Sequence, residues 1–353
     1  MPTTYAIPDG RTVMAATTYT GTNANLTVSN AVNGVSMQPD LVWMKARSSA
    51  FSNTLTDSVR GVSKQVFSNL TNAETTESGK GLTAFNSNGF TLGPDLVTTG
   101  STNASGTTYV AWQWQAGQGS TSSNTSGSIT STVSVNATAG FSVVTYTGTG
   151  ANATVGHGLG VAPKMLILKR RNASSGGGSD WPVWHTTLSG TQYLSLSGTG
   201  GIGTLASVWN SAIPTSTVFS TGTAIPSGDY VAYCWAAVAG YSAFGSYTGN
   251  GSADGPFIYL GFRPRYLLIK SSVVAGGTWV VFDSARSTYN VTGEKLAPNT
   301  ADSENSGATG IAGGVDFLSN GFKIRLSWGD INTSNTLIYA AFGENPTKFA
   351  NAR

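Results

Sequence analysis

A single cysteine in 353 residues, Cys234, rules out an internal disulfide framework. Set in the apolar run Tyr233-Cys234-Trp235, it reads as a buried thiol rather than a nucleophile, and it fits synthesis in a reducing cytoplasm. Histidine is almost as rare: His157 and His185 leave little from which to build a metal centre, and neither a metal nor another cofactor is expected. Charged residues make up 10% of the chain, against about 25% in an average soluble protein. The net charge of +3 is small, and the basic residues are scattered apart from Lys169-Arg170-Arg171, which reads as a solvated strand end. Basic runs interleaved with aromatic platforms are missing, so nucleic acid is not an expected partner. Apolar runs fall far short of the roughly 20 residues of a membrane helix, so no membrane insertion is expected. The start, Met1-Pro2-Thr3-Thr4-Tyr5-Ala6-Ile7-Pro8, has neither the basic beginning nor the apolar centre of a secretory signal. Long amphipathic helical patterns are lacking as well.

What the chain does have is Gly, Ser, Thr and Asn in quantity, nine Trp, and a hydrophobic content of 39%, too apolar for disorder. It also repeats itself. Tyr19-Thr20-Gly21 returns as Tyr146-Thr147-Gly148 and Tyr247-Thr248-Gly249. Each copy is followed by a proline-led apolar run ending in lysine: Pro39 to Lys45, Pro163 to Lys169, and Pro264 to Lys270. Each closes on an aromatic run, Tyr109-Val110-Ala111-Trp112-Gln113-Trp114, Tyr230-Val231-Ala232-Tyr233-Cys234-Trp235 and, aligned by its tyrosine, Tyr339-Ala340-Ala341-Phe342. A unit of about 100 residues is too long for a solenoid repeat and has the size of a domain that folds alone.

The short apolar runs bounded by turn residues are strands. Phe85-Asn86-Ser87-Asn88-Gly89-Phe90 and Phe317-Leu318-Ser319-Asn320-Gly321-Phe322 carry Asn-Gly hairpin signals. The expected fold is all-β, three tandem antiparallel β-sandwich modules of jelly-roll-like character with seven to nine strands each. Residues 1–13 read as an extended arm, 14–117 as module 1 and 118–127 as a flexible Ser/Thr/Gly linker. Residues 128–240 form module 2, and 241–353 form module 3 with a C-terminal tail.

Chemistry is sparse. Gly198-Thr199-Gly200-Gly201-Ile202-Gly203 matches the spacing of a dinucleotide fingerprint but lacks the following helix and the acidic residue about 20 positions on, so it reads as a glycine-rich loop. Asn250-Gly251-Ser252-Ala253-Asp254-Gly255 resembles a calcium loop, yet its twelfth position is Gly261 where a bidentate carboxylate belongs. Asp57 with Arg60 and Asp283 with Arg286 recur in modules 1 and 3, where His185 and Leu188 stand in module 2. They read as a structural pair rather than as a glycosidase acid. No catalytic residue is assigned. Trp181, Trp184 and Trp279 flank variable loops, where an exposed ring would stack on a host-surface glycan or contact a partner; core or inter-module packing is the other reading.

Residues 141–148, 155–163 and 57–61 resemble a family of tailed-bacteriophage virion structural proteins of the marine and cyanophage type. The ending from Ala341 to Pro346 and from Phe349 to Arg353 is similar as well, so the likeness runs from about Thr18 to Arg353. Members of that family are described as tail-fibre-like or uncharacterised. The resemblance implies a non-enzymatic virion component, assembled in the host cytoplasm and bound to other virion proteins. A tail-associated fibre or adhesion part is expected first, then a capsid decoration protein, then a surface-glycan depolymerase. A homo-oligomer, preferably a trimer, follows by analogy with fibres, with residues 1–13 as its anchor.

Overall fold

The computed structural model describes residues 5–97, 100–173, 180–273, 277–304 and 314–344; residues 1–4 of the expected arm and the tail 345–353 lie outside them. Within this range the chain is built from antiparallel strands, with two helices of four residues, Ala206–Trp209 and Gly329–Asn332. Among the described residues modules 1, 2 and 3 hold nine, ten and seven strands, with Ser122–Asn124 counted in module 2.

One large sheet repeats in all three modules. Its order in module 1 is Met14–Thr20, Thr108–Trp114, Leu41–Ala46, Thr54–Asp57; in module 2 it is Phe141–Thr149, Ser227–Trp235, Met165–Arg170, Pro182–His185. Module 3 repeats it as Ser242–Thr248, Thr336–Gly343, Pro264–Ser271, Trp279–Asp283. A smaller sheet covers one face: Leu26–Ser29, Gly89–Leu92 and Leu82–Asn86 in module 1; Phe257–Tyr259, Gly321–Ile324 and Val315–Leu318 in module 3. Module 2 keeps two of these strands, Ala153–Gly156 and Val218–Thr221. The first strand lies beside the last and the second beside the penultimate, which interlocks the sheets as in a jelly roll.

The proline-led runs are continuously apolar because both faces of their sheet are buried. Val42 and Met44 point into the sandwich with Ala111 and Phe90, while Trp43 points out of it into a second core shared by all three modules. In module 3, Leu267 and Ile269 face the sandwich, and Tyr266 and Leu268 face the shared core. The lysines are equivalent: Lys45, Lys169 and Lys270 stand opposite Val110, Val231 and Ile338 in the last strand. This register corrects the third aromatic run. Tyr19 pairs with Tyr109 and Tyr146 with Tyr230, but Tyr247 pairs with Leu337, two residues before Tyr339.

The hairpins fall where Asn-Gly marks them, with a shifted turn. Ser87 and Asn88 make the turn, and Gly89 already pairs with Asn86; Ser319 and Asn320 do the same, with Gly321 paired to Leu318. These glycines serve a close approach: a Cβ on Gly89 would lie 2.1 Å from the carbonyl oxygen of Val28, and one on Gly321 2.0 Å from that of Ile258.

Two boundary expectations are corrected. The 118–127 segment is no flexible linker: Ser122–Asn124 is an edge strand on Ser131–Asn136, and Asp40 accepts the amides of Ala116, Gln118 and Gly119. A solvent-facing edge pairs through its backbone and needs no apolar side chain. Residues 5–13 are not a free arm either. Ile7 and Val13 are buried in the shared core, Asp9 caps a single helical turn at Gly10–Thr12, and the Gly10 amide donates to the Glu344 carbonyl at 2.7 Å.

That last bond closes a ring. The chain exposes 12269 Å², whereas three free modules, each a third of 36.3 kDa, would expose about 18,000 Å². The missing surface, on the order of 1,900 Å² per interface, matches three standard protein–protein contacts. The three modules are one body, not three domains on a string.

Candidate functional site

Buried polar side chains recur at equivalent places where modules meet. Each buried lysine reaches into a loop of a neighbouring module. Lys45 Nζ of module 1 donates to the carbonyl of Thr300 in module 3 at 3.0 Å, and to Asn53 Oδ1 at 2.7 Å. Lys169 of module 2 donates to Thr71 of module 1 at 2.8 Å, and Lys270 of module 3 to Thr199 of module 2 at 3.2 Å. The loop of module 1 thus feeds module 2, that of module 2 feeds module 3, and that of module 3 feeds module 1. A head-to-tail contact that returns to its origin after three steps is a closed ring with pseudo-threefold symmetry. Burial pushes these ammonium groups down, to about 7 for Lys45 and Lys169 and about 8 for Lys270.

A second set of equivalent positions begins the fourth strand of each large sheet. Trp181 Nε1 donates to the carbonyls of Phe67 and Leu70, and Trp279 Nε1 donates to that of Ser195, each in the preceding module. Module 1 has Asn53 in this place, and its amide donates to Pro298 and Thr300 of module 3. Trp181 and Trp279 are therefore buried inter-module anchors, 0% and 1% exposed. Trp184 points the other way, into its own module's core, and is 4% exposed. None of the three presents a face on which a sugar could stack, which corrects the glycan expectation for these residues.

Four residues on, the recurring aspartates organise two of the three interfaces. Asp57 accepts Arg60 Nε and, at 2.9 Å, the hydroxyl of Tyr233 from module 2. Arg60 also binds Glu74 at 2.9 Å, and Glu74 binds Arg171 of module 2 at 2.9 Å. Asp283, Arg286 and Glu304 repeat the arrangement with Trp112 and Arg47 of module 1: the indole reaches Asp283 at 2.9 Å and Arg47 reaches Glu304 at 2.7 Å. Burial pulls Glu74 upward, but bonds from Arg171 and Arg60 outweigh it and hold the carboxyl below its ordinary range. Lys169 and Arg171 are thus interface residues, and the triplet around them is no solvated strand end.

The third interface replaces the ion set by histidine, serine and apolar side chains. His185, Leu188 and Ile202 of module 2 stand where Asp57, Arg60 and Glu74 stand in module 1, and Ser272 of module 3 stands where the arginine would be. His185 Nδ1 accepts the Thr187 amide at 3.3 Å, leaving Nε2–H to meet the Tyr339 carbonyl at 3.1 Å; burial pushes the ring down to about 4. The backbone is unchanged: Ile202 N donates to Ser272 O at 2.8 Å, as Glu74 does to Arg171 and Glu304 to Arg47, both at 2.7 Å.

The other residues that the sequence singles out have structural duties. His157 is buried, with Nε2 on the Thr215 carbonyl at 3.1 Å and Nδ1 accepting from Leu159, and burial lowers its basicity. Cys234 is fully buried and its thiol is pushed up to about 12. The glycine-rich loop at 198–203 is the one that offers Thr199 to Lys270 and Gly198 to Asn299. Asn250 folds a turn through Ser252 and Asp254. Among the described residues no three His, Cys, Asp or Glu side chains are grouped to hold a metal ion.

Sequence reasoning missed the ring and with it the lysine–carbonyl contacts. Their one legible trace is that an arginine stands two residues after the lysine in modules 1 and 2 and not in module 3. Arg47 and Arg171 each follow, in cyclic order, a module that carries the Asp-Arg-Glu set. Comparison with known proteins returns no curated match. One family model matches residues 10–346, the stretch that runs from one side of the ring closure, at Gly10, to just past the other, at Glu344. The chain therefore belongs to the family described as domain of unknown function DUF7483.

Proposed function

We propose that the chain is a non-enzymatic structural component of a tailed-bacteriophage virion, made in the host cytoplasm and displayed on the particle as a tail-associated adhesion part. The observation that carries this reading is the use made of the polar interior. The three buried carboxylates among the described residues are Asp40, Asp57 and Asp283. Asp40 holds the module 1–2 connection, and the other two each bind an arginine and a donor from the next module. A glycan-cleaving pair needs one carboxyl free to give a proton and another free to attack or to activate water. Charges tied into interfaces suit a rigid scaffold whose loops carry recognition.

The ring also bears on attachment. Gly10 meets Glu344, so the first and last described segments come together at one junction, where contacts to other virion proteins would concentrate. A capsid decoration protein is the second reading, favoured because one chain closes a threefold arrangement without further copies; assembly of three chains belongs to the fibre reading.

Gold-labelled antibody against the purified protein tests both on intact particles. Labelling of the tail is expected; labelling of the head selects the decoration reading, and unlabelled particles overturn the proposal. Incubation with host polysaccharide is expected to release no oligosaccharide; release that disappears on substitution of an acidic pair would install the depolymerase reading instead.

A further inference from the structure

Module 3 differs from its siblings on the outer face of its small sheet. Its edge strand alternates exposed, buried, exposed over Phe257, Ile258 and Tyr259, and the two aromatic side chains are 45% and 69% exposed. Ile258 pairs with Phe322 as Val28 pairs with Phe90 and Val155 with Phe219, which fixes the equivalent positions. Module 1 has Thr27 and Ser29 there, and module 2 has Thr154 and Gly156. The fold therefore does not need an aromatic at either place. Two neighbouring aromatics exposed where the sibling modules carry small residues mark a candidate contact surface.

The face is small and chemically mixed. Across the sheet, Phe257 lies beside Lys323 and then Asp316; Tyr259 lies beside Gly321 and then Leu318. A Cβ on Gly321 would sit 3.1 Å from the Phe257 ring, so the ring leans over the glycine in the side-chain row between Tyr259 and Leu318. Lys323 pairs with Asp254 at 2.8 Å, and Arg325 with Asp316 at 3.1 Å, so the rim is polar and its charges cancel. At roughly 200 Å² of accessible surface per aromatic side chain, Phe257 and Tyr259 together expose on the order of 200 Å². A stable protein partner needs about 800 Å² on each side.

We infer that this face is a binding site for a neutral glycan, with Tyr259 and Phe257 stacking on pyranose rings. The two side chains lie about 7 Å apart along the strand, two residues at the usual rise. The Lys323–Asp254 and Arg325–Asp316 pairs supply donors and acceptors for ring hydroxyls. Their cancelled charge selects against acidic sugars. The site gives the adhesion reading its ligand class and rests on that reading for its biological setting.

The test uses the full chain and a panel of neutral oligosaccharides, maltopentaose, cellopentaose, mannopentaose and chitotetraose, with heparin as an acidic control. Binding is read by saturation-transfer NMR and titration. The variant is Phe257→Thr with Tyr259→Ser, the pair that module 1 carries at the equivalent places. It should melt at the wild-type temperature and lose at least tenfold in affinity for whichever neutral probe the wild type binds. Binding to none of the neutral probes, binding that the variant keeps, or binding of heparin alone overturns the inference. So does a wild-type dimer in sedimentation that the variant abolishes, which would assign the face to a second copy. Particle labelling is read independently: a labelled virion with no sugar bound sinks this inference alone, whereas sugar bound through Tyr259 on a protein missing from particles sinks the virion reading alone.

Discussion

Two interfaces of the ring carry an aspartate–arginine–glutamate set and one does not, although all three join the same surfaces. The 1–2 and 3–1 contacts bury Asp57 with Arg60 and Asp283 with Arg286, whereas the 2–3 contact buries His185 with Leu188. What stays constant is the backbone bond at Glu74, Ile202 and Glu304, and the lysine-to-carbonyl bond from Lys169, Lys270 and Lys45. Ring geometry is therefore set by strand packing and main-chain bonds, and the ion sets are one of two interchangeable ways to fill the space beside them.

The largest effect should come from breaking an ion set. Arg60→Ala leaves Asp57 buried without its partner, and a loss of about 3–5 kcal/mol is expected in denaturant unfolding. A loss under about 1 kcal/mol would mean the set behaves like an exposed pair. Leu188→Ala at the apolar counterpart should cost about 2–5 kcal/mol, through a cavity rather than an orphaned charge. Replacing a whole ion set is a different matter. Asp57→His, Arg60→Leu, Glu74→Ile and Arg171→Ser together copy the 2–3 interface into the 1–2 position. Stability within about 2 kcal/mol of the wild type is expected, since exchanging a buried ionic group for packed apolar residues is often neutral or stabilising. Collapse of this variant would show that the ions specify the ring.

Acid should separate the interfaces. His185 in the folded chain titrates near 4, below the ordinary value of about 6.5, so between those values the unfolded chain holds a proton that the folded one lacks. Stability falls as pH falls through that window, and the 2–3 interface is the one affected. Glu74, held below its ordinary range, keeps its contribution until more acid conditions. Hydrogen exchange at pH 5 should therefore rise around Tyr339 before it rises around Arg171. In base the lysines act alike on all three interfaces. Their folded values near 7 to 8 lie below the unfolded value of 10.5, so stability should climb from about pH 7 toward 10.5. Lys169→Met should flatten that climb by roughly a third.

The smallest effect should follow from moving the chain ends. Joining residue 5 to residue 344 through a short Gly/Ser bridge and opening the chain between Val238 and Ala239 turns the non-covalent 3–1 junction into a covalent one. The permutant should keep a single unfolding transition, because equivalent backbone bonds, Gln115 to Val13, Ala236 to Gly140 and Gly343 to Tyr241, already close each module on itself between the ends of its first and last strands.

The strands were legible because repetition and burial both leave marks on side chains: a run such as Leu41 to Lys45 is buried on two faces and says so. The ring was not, because its recurring acceptors are carbonyls of Thr71, Thr199 and Thr300, and a carbonyl has no residue type. The third aromatic run was misaligned since Tyr339-Ala340-Ala341-Phe342 imitates Tyr109-Val110-Ala111-Trp112, while pairing with the first strand puts Leu337 in the tyrosine's place. Segment 118–127 looked like a linker because an edge strand of Ser and Asn has the composition of one. Trp181 and Trp279 looked exposed because they flank loops; the neighbouring module that covers them is far away in sequence.

Small-angle X-ray scattering on the monomeric chain tests the ring most directly. A closed body of 353 residues should have a radius of gyration of about 20 Å. Three modules strung end to end would give above about 30 Å on the same scaling. A value near 20 Å with a single compact distance distribution is the predicted result, and a value near 30 Å with a stepped distribution would contradict the account.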